Sequence, residues 1–120
     1  RSLVVGKPLS MMLLNKNATV TICHTKTTNI EEITSKADIV IAATGQMESL
    51  NANYFTNNQT VIDIGINYNE LKQKLCGDVL YEEVEPIVSN ITPVPGGVGA
   101  VTNSVLINHV VIATQIQNEN

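Results

Sequence analysis

A chain of 120 residues with 43% hydrophobic and 15% charged side chains has the size and composition of one globular domain, able to bury roughly two thirds of the surface its unfolded form exposes. The net charge of −4, with seven Lys and Arg spread along the sequence and only three Tyr and one Phe to stack on a base, argues against a nucleic-acid surface. No apolar run approaches the roughly eighteen residues of a membrane span, and no signal peptide is seen.

Leu3, Val4 and Val5 read as a strand end or a short turn, after which Gly6-Lys7-Pro8 opens a helix, because Pro8 suits a first helical position. That helix is expected to reach about Lys16, with Met11, Met12, Leu13 and Leu14 on its buried side and Asn15 and Asn17 at its exit. Ala18 to Cys23 alternates Thr with apolar β-branched residues, which predicts a strand. His24 to Asn29 is polar and turn-like, and Ile30 to Lys36 predicts a short helix with Ile30 and Ile33 facing inward. Ala37 to Ala43 is nearly continuously apolar, the pattern of a parallel strand covered on both faces, and Thr44-Gly45 punctuates its end.

Asn51 to Phe55 predicts another short helix, Thr60 to Ile64 a strand, and Asn69 to Leu75 a weak helix. Asp78 to Leu80 reads as a small strand, Glu82 to Val88 as a helix, and Asn90-Ile91-Thr92 as the last strand. From Val101 to Gln117, Leu106, Val110 and Ala113 recur at helical spacing over a length strands rarely reach. Alternating strands and helices specify an α/β fold, Rossmann-like and doubly wound, with a mainly parallel sheet and helices on both faces.

In such sheets ligands bind beyond the carboxyl ends of the strands, so the residues after each strand carry the functional information. Five segments qualify: Arg1-Ser2, Cys23 to Lys26, Thr44-Gly45-Gln46, Gly65-Ile66-Asn67 and Pro93 to Gly99. The last is unusual. Pro93 and Pro95 stiffen the approach, while Gly96, Gly97 and Gly99 permit positive φ and let a ligand lie against bare backbone, so this reads as a ligand-facing loop running into a helix near Thr102. After the second strand, a domain selective for NAD has an Asp or Glu to accept from the ribose hydroxyl. Here the chain offers His24, Thr25 and Lys26, with Arg1 in the neighbouring loop, donors and charge suited to the 2′-phosphate of NADP.

Other chemistry has little support. Cys23 and His24 are adjacent on a predicted strand and point to opposite faces, so they form no dyad. Cys23 and Cys76 are too few and too distant for a disulfide scaffold or zinc site, His24 and His109 are isolated, and no metal is expected. A reducing, cytoplasmic setting is the expectation. Asp63 reads as a structural acid bonding loop amides at its strand's end, and Asp78 is treated alike.

The stretch Ile91 to Gly99 resembles the signature of the bifunctional methylenetetrahydrofolate dehydrogenase/cyclohydrolase family, and Arg1 to Pro8, Ala18 to Thr21, Ala37 to Ala42, Val61 to Asn67 and Gly77 to Val79 agree with it in order. The likeness covers essentially the whole chain but only the family's second, cofactor-binding half. It implies oxidation of 5,10-methylenetetrahydrofolate by hydride transfer to NADP, then hydrolysis of the methenyl product to 10-formyltetrahydrofolate. With the family's preceding glycine restored, the first loop would be Gly-Arg-Ser-x-x-Val-Gly, beside a helix N-terminus receptive to phosphate.

By the same resemblance Arg1, Ser2 and Thr25 bind cofactor, Thr44, Gly45, Gln46, Gly65 and Ile66 wall the pyrophosphate and nicotinamide, and Pro95, Gly96, Gly97 and Val98 form the floor for the folate. The catalytic Lys and Tyr of the family lie in its first domain, absent here, so no catalytic residue is assigned and a truncated N-terminus and a homodimeric parent enzyme are expected. One departure stands out: Gly99-Ala100-Val101-Thr102 replaces the family's common Gly-Pro-Met-Thr, which loosens the helix start. Two other readings remain, a non-catalytic NADP-binding remnant and the cofactor domain of another two-domain dehydrogenase such as shikimate dehydrogenase. The second leaves Pro93 to Gly99 unexplained.

Overall fold

A computed structural model describes residues 2–119. Three parallel strands form the sheet: β1 (Ile39–Ala42), β2 (Thr60–Asp63) and β5 (Asn90–Ile91), in the order β1-β2-β5. Val40 lies opposite Val61, and Ala42 opposite Asp63, so the inward positions of β1 and β2 share one face. On that face Val40, Ala42, Val61, Phe55, Val79, Val84 and Val88 make the core, helped by α3 (Tyr81–Val84) and a 3₁₀ turn at Ala52–Tyr54. Burial alternates along β1, with Ile39 56% exposed, so the strand is covered on one face and not on both as its apolar run predicted. A buried Gln59 fastens the joint, donating from its amide to the carbonyls of Thr34 and Ala37 at 2.6 and 2.8 Å and accepting from Thr56 N–H at 2.8 Å.

Helices α1 (Gly6–Leu14) and α2 (Ile30–Thr34) fall where the sequence predicts them, and the 3₁₀ turn replaces the predicted helix at 51–55. The apolar side of α1 is not buried: Met11, Met12 and Leu14 are all more than half exposed. Ala18 to Cys23 forms no strand, because strand structure requires a ladder partner and none of the described residues pairs with it. In place of the weak helix at 69–75 stands an antiparallel hairpin of β3 (Asn67–Asn69) and β4 (Lys74–Cys76). Asn69 decides this by accepting from Leu71 and Lys72 N–H, a local turn that competes with helix, and Gln73 closes it at φ 50°. The predicted strand at 78–80 is a single bridge between Leu50 and Val79.

The last helix, α4 (Val98–Asn118), begins four residues earlier than the sequence suggested. Ala100 N–H donates to the Gly97 carbonyl at 3.1 Å, so the donor that a proline would lack tightens the first turn and does not loosen it. Residues 99–118 are all exposed, and the radius of gyration, 16.5 Å, exceeds the about 13.6 Å of a compact 120-residue domain, so α4 projects from the body.

Candidate functional site

The segments after β1, β2 and β5 meet at one end of the sheet, and two buried carboxylates join them. Asp63, the last residue of β2, accepts from the N–H groups of Gly65 (2.8 Å), Asp78 (3.1 Å) and Val79 (2.9 Å). Burial pushes its carboxyl above the usual range, opposed by those three donors. Asp78 accepts from Thr44 N–H at 2.6 Å and Gly45 N–H at 2.8 Å on one oxygen, and from the Asn67 amide at 3.0 Å on the other. The third segment enters through Thr92, whose hydroxyl accepts from Asp63 N–H at 2.8 Å. Both acids therefore bond loop amides, as their sequence context indicated.

Gly65 and Gly77 are where they are because of this network: a Cβ on Gly65 would meet the Asp78 carboxylate, and one on Gly77 the Asp63 carboxylate. Gly45 differs, with φ 70° and no atom within 4 Å of where a Cβ would sit, so it presents open backbone. The Thr44 hydroxyl receives Gln46 N–H at 3.1 Å and shapes the rest of that exposed turn. Ile66 is 71% exposed at the lip of the next one.

Pro93, Val94 and Pro95 line a cleft of about 460 Å³ together with Asp63, Gly77 and Val79. The Val94-Pro95 peptide is cis, and Gly96 follows at φ 103°. Among the three glycines expected to permit positive φ, only Gly96 uses that freedom; Gly97 sits at φ −92°, and Gly99 lies within α4. Gly97 is instead required by contact, since a Cβ would strike the Pro93 carbonyl. Val98 begins the helix beside it.

Two expected contributors make local hydrogen bonds of their own. The Ser2 hydroxyl accepts from Val5 and Gly6 N–H at 2.9 and 3.4 Å, closing the start of α1. Arg1 lies outside the described residues. In the loop after Cys23, Thr27 accepts from His24 N–H at 3.0 Å and His24 Nδ1 accepts from Lys26 N–H at 3.1 Å, which leaves Thr25 exposed at the tip. Among the described residues, the Thr25 hydroxyl and Lys26 ammonium have no partner. Among the described residues, no hydrogen bond joins either loop to the network around Asp78.

What sequence reasoning missed is the link itself: the Asn67 amide, the Thr92 hydroxyl and the Asp78 carboxylate joining three loops. A Gly-Asp pair at 77–78 was visible, but its partners lie more than thirty residues away at Thr44 and Gly45. Among the described residues no group of three or more His, Cys, Asp or Glu is placed to hold a metal ion, and no helix is long and apolar enough to cross a membrane.

Comparison with known proteins shows the family. Residues 1–118 match the family model described as "Tetrahydrofolate dehydrogenase/cyclohydrolase, NAD(P)-binding domain". The chain is 56% identical over 117 residues to bifunctional protein FolD 1 of Desulfitobacterium hafniense, covering 98% of this chain and 41% of that protein. It is 54% identical over 115 residues to FolD of Clostridium botulinum strain Okra, covering 96% and 40%.

Solved structures of similar fold include FolD from Campylobacter jejuni, with TM-score 0.89 and 41% identity over 98% of this chain and 41% of that one. The bifunctional enzyme of Thermoplasma acidophilum gives 0.87 and 47%, over 100% and 43%. Trypanosoma brucei FolD, complexed with NADP cofactor and inhibitor, gives 0.78 and 35%, over 90% and 39%. The chain thus spans about two fifths of the relatives it matches. Its parallel sheet, its glycine-bearing loops and these matches together place it in the tetrahydrofolate dehydrogenase/cyclohydrolase family, as that family's Rossmann-like NAD(P)-binding domain.

Proposed function

We propose that this chain is the cofactor-binding part of an enzyme that oxidises 5,10-methylenetetrahydrofolate with NADP and hydrolyses the methenyl product to 10-formyltetrahydrofolate. The observation that carries the cofactor choice is the loop after Cys23. Its tip holds an unengaged Thr25 hydroxyl and Lys26 ammonium, and no acidic residue occurs from Ala18 to Ile30 to serve an NAD ribose. That donor set fits a 2′-phosphate. Arg1 is proposed as a further cation at that phosphate, and Ser2 as a residue of the same loop.

Thr44, Gly45 and Gln46, with Gly65 and Ile66, would flank the pyrophosphate and nicotinamide, Gly45 by letting the cofactor approach its bare backbone. When bound, NADP supplies the hydride acceptor. Pro95, Gly96, Gly97 and Val98 would hold the folate against the nicotinamide. Their part is to fix orientation and exclude water, because no side chain among them carries a proton to a reacting atom.

The catalytic groups belong, in this reading, to a companion domain in the remaining three fifths of the relatives' length. The parent enzyme is proposed to be a cytoplasmic homodimer in one-carbon metabolism that feeds purine synthesis. The exposed Met11, Met12, Val105, Leu106 and Val110 support the companion domain, since helix faces this apolar call for a cover.

Paired titrations with NADP and NAD, on the full-length protein that carries this segment, test the reading. NADP should bind more tightly, and Thr25→Ala should weaken it roughly tenfold while leaving NAD unchanged. Preference for NAD would defeat the 2′-phosphate argument. Turnover of methylenetetrahydrofolate by the 120 residues alone would show the catalytic groups to be misplaced.

A further inference from the structure

Asp78 has no exposed surface, so no bound ligand can touch it. Its carboxylate nevertheless holds both loops that face the cofactor in the reading above: Thr44 and Gly45 after β1 on one oxygen, Asn67 after β2 on the other. Its own backbone is fixed in turn, because Asp78 and Val79 donate to Asp63 at the end of β2. The hairpin β3–β4 delivers it there, with Gly77 making room for the Asp63 carboxylate and Gly65 for that of Asp78.

Three donors on one buried carboxylate are a directional constraint. An exposed glycine-containing turn such as Thr44-Gly45-Gln46 has access to many backbone conformations, and a ligand that binds one of them loses affinity in proportion to the scarcity of that one. Two N–H groups bonded to a rigid acceptor remove that freedom before the ligand arrives. The same carboxylate fixes the distance between this turn and Asn67, hence the width of the gap between the two loops.

We propose that Asp78 is a positioning residue for cofactor binding, holding the Thr44-Gly45-Gln46 turn and the Gly65-Ile66-Asn67 loop in their binding arrangement in the free protein. The proposal rests on the cofactor-binding reading above. Asn in its place would keep an acceptor for only one of the two loops and turn an N–H₂ group toward the other's donor.

Two experiments on the full-length protein test it. Amide hydrogen exchange needs no variant: in the absence of NADP the Thr44 and Gly45 amides should already exchange at least a hundredfold more slowly than the same amides do in an unstructured peptide. Exchange of both at the unstructured-peptide rate until NADP is added would overturn the proposal. Steady-state kinetics of Asp78→Asn should show the KM for NADP raised about tenfold and that for the folate less than twofold, with part of the loss restored in the reciprocal Asp78→Asn/Asn67→Asp protein.

Equal increases in both KM values, or activity lost only in step with the melting temperature and unrescued by the swap, would overturn it by assigning Asp78 to general stability. If Asp78→Asn does not fold, the exchange result decides alone. Wild-type protein that fails to bind NADP would end the cofactor reading, whereas the exchange pattern would still report whether Asp78 holds the turn.

Discussion

Gln59 is 2% exposed, and each polar atom of its side chain has a partner: the carbonyls of Thr34 and Ala37 and the N–H of Thr56. Replacing it with Leu removes those bonds and strands the Ala37 carbonyl and the Thr56 N–H, while the Thr34 carbonyl keeps the Ala37 N–H, so Gln59→Leu is expected to lower unfolding free energy by about 2–3 kcal/mol in urea denaturation. Asp63 poses a question of pH. Burial raises its carboxyl pKa above the ordinary 3.8 despite three N–H donors, so the native state holds the proton more tightly than the unfolded chain.

Its contribution to stability is therefore complete below pH 3.8 and is lost as pH rises through the higher native value. Stability measured from pH 3.8 upward should fall in the wild type relative to Asp63→Asn, which cannot titrate. A constant difference between the two across that range would contradict the burial argument.

At the scale of the element, the loop from Pro93 into α4 separates two uses of glycine. Gly97 has an ordinary φ of −92°, but a Cβ would press on the Pro93 carbonyl; Gly96 has open space at its Cβ position and a φ of 103°. Gly97→Ala should cost about 1–3 kcal/mol through contact, and Gly96→Ala a similar amount through backbone strain. Restoring Gly97 function by trimming a neighbour is impossible, since the obstacle is main chain. Denaturation of the two variants checks both values.

The hairpin makes the opposite point about elements. Asn69 to Leu75 reads as a weak helix, yet Leu71 is 97% exposed and the Asn69 side-chain oxygen accepts from two successive amides. Periodicity reports which residues would share a face if a helix formed. It does not report that a side chain has already taken the donors.

Across the whole molecule, one face of the sheet is closed and much apolar surface elsewhere is open: Leu3, Val4, Met12, Ile39, Leu106 and Ile107 are all more than half exposed. Surface of that kind is ordinarily covered by another part of the protein or by a second molecule. The 120-residue chain should therefore melt lower than the full-length protein that carries it, and should self-associate or bind a hydrophobic dye where the longer one does not. Equal melting midpoints and a clean monomer by sedimentation would contradict that expectation.

Local order determined what could be read directly. The proline-glycine signature at 93–99, the apolar run from Ala37 to Ala43 and the β-prone stretch from Thr60 to Ile64 are properties of neighbours in sequence, and they were sufficient for the α/β class and the family. Tertiary structure alone decided that Ala18 to Cys23 forms no strand, that Asp63 and Asp78 join three loops, and that α4 buries none of its residues. Each of these depends on partners distant along the chain. A ladder needs a second strand, a buried carboxylate needs donors, and a helix face is buried only when another element lies against it.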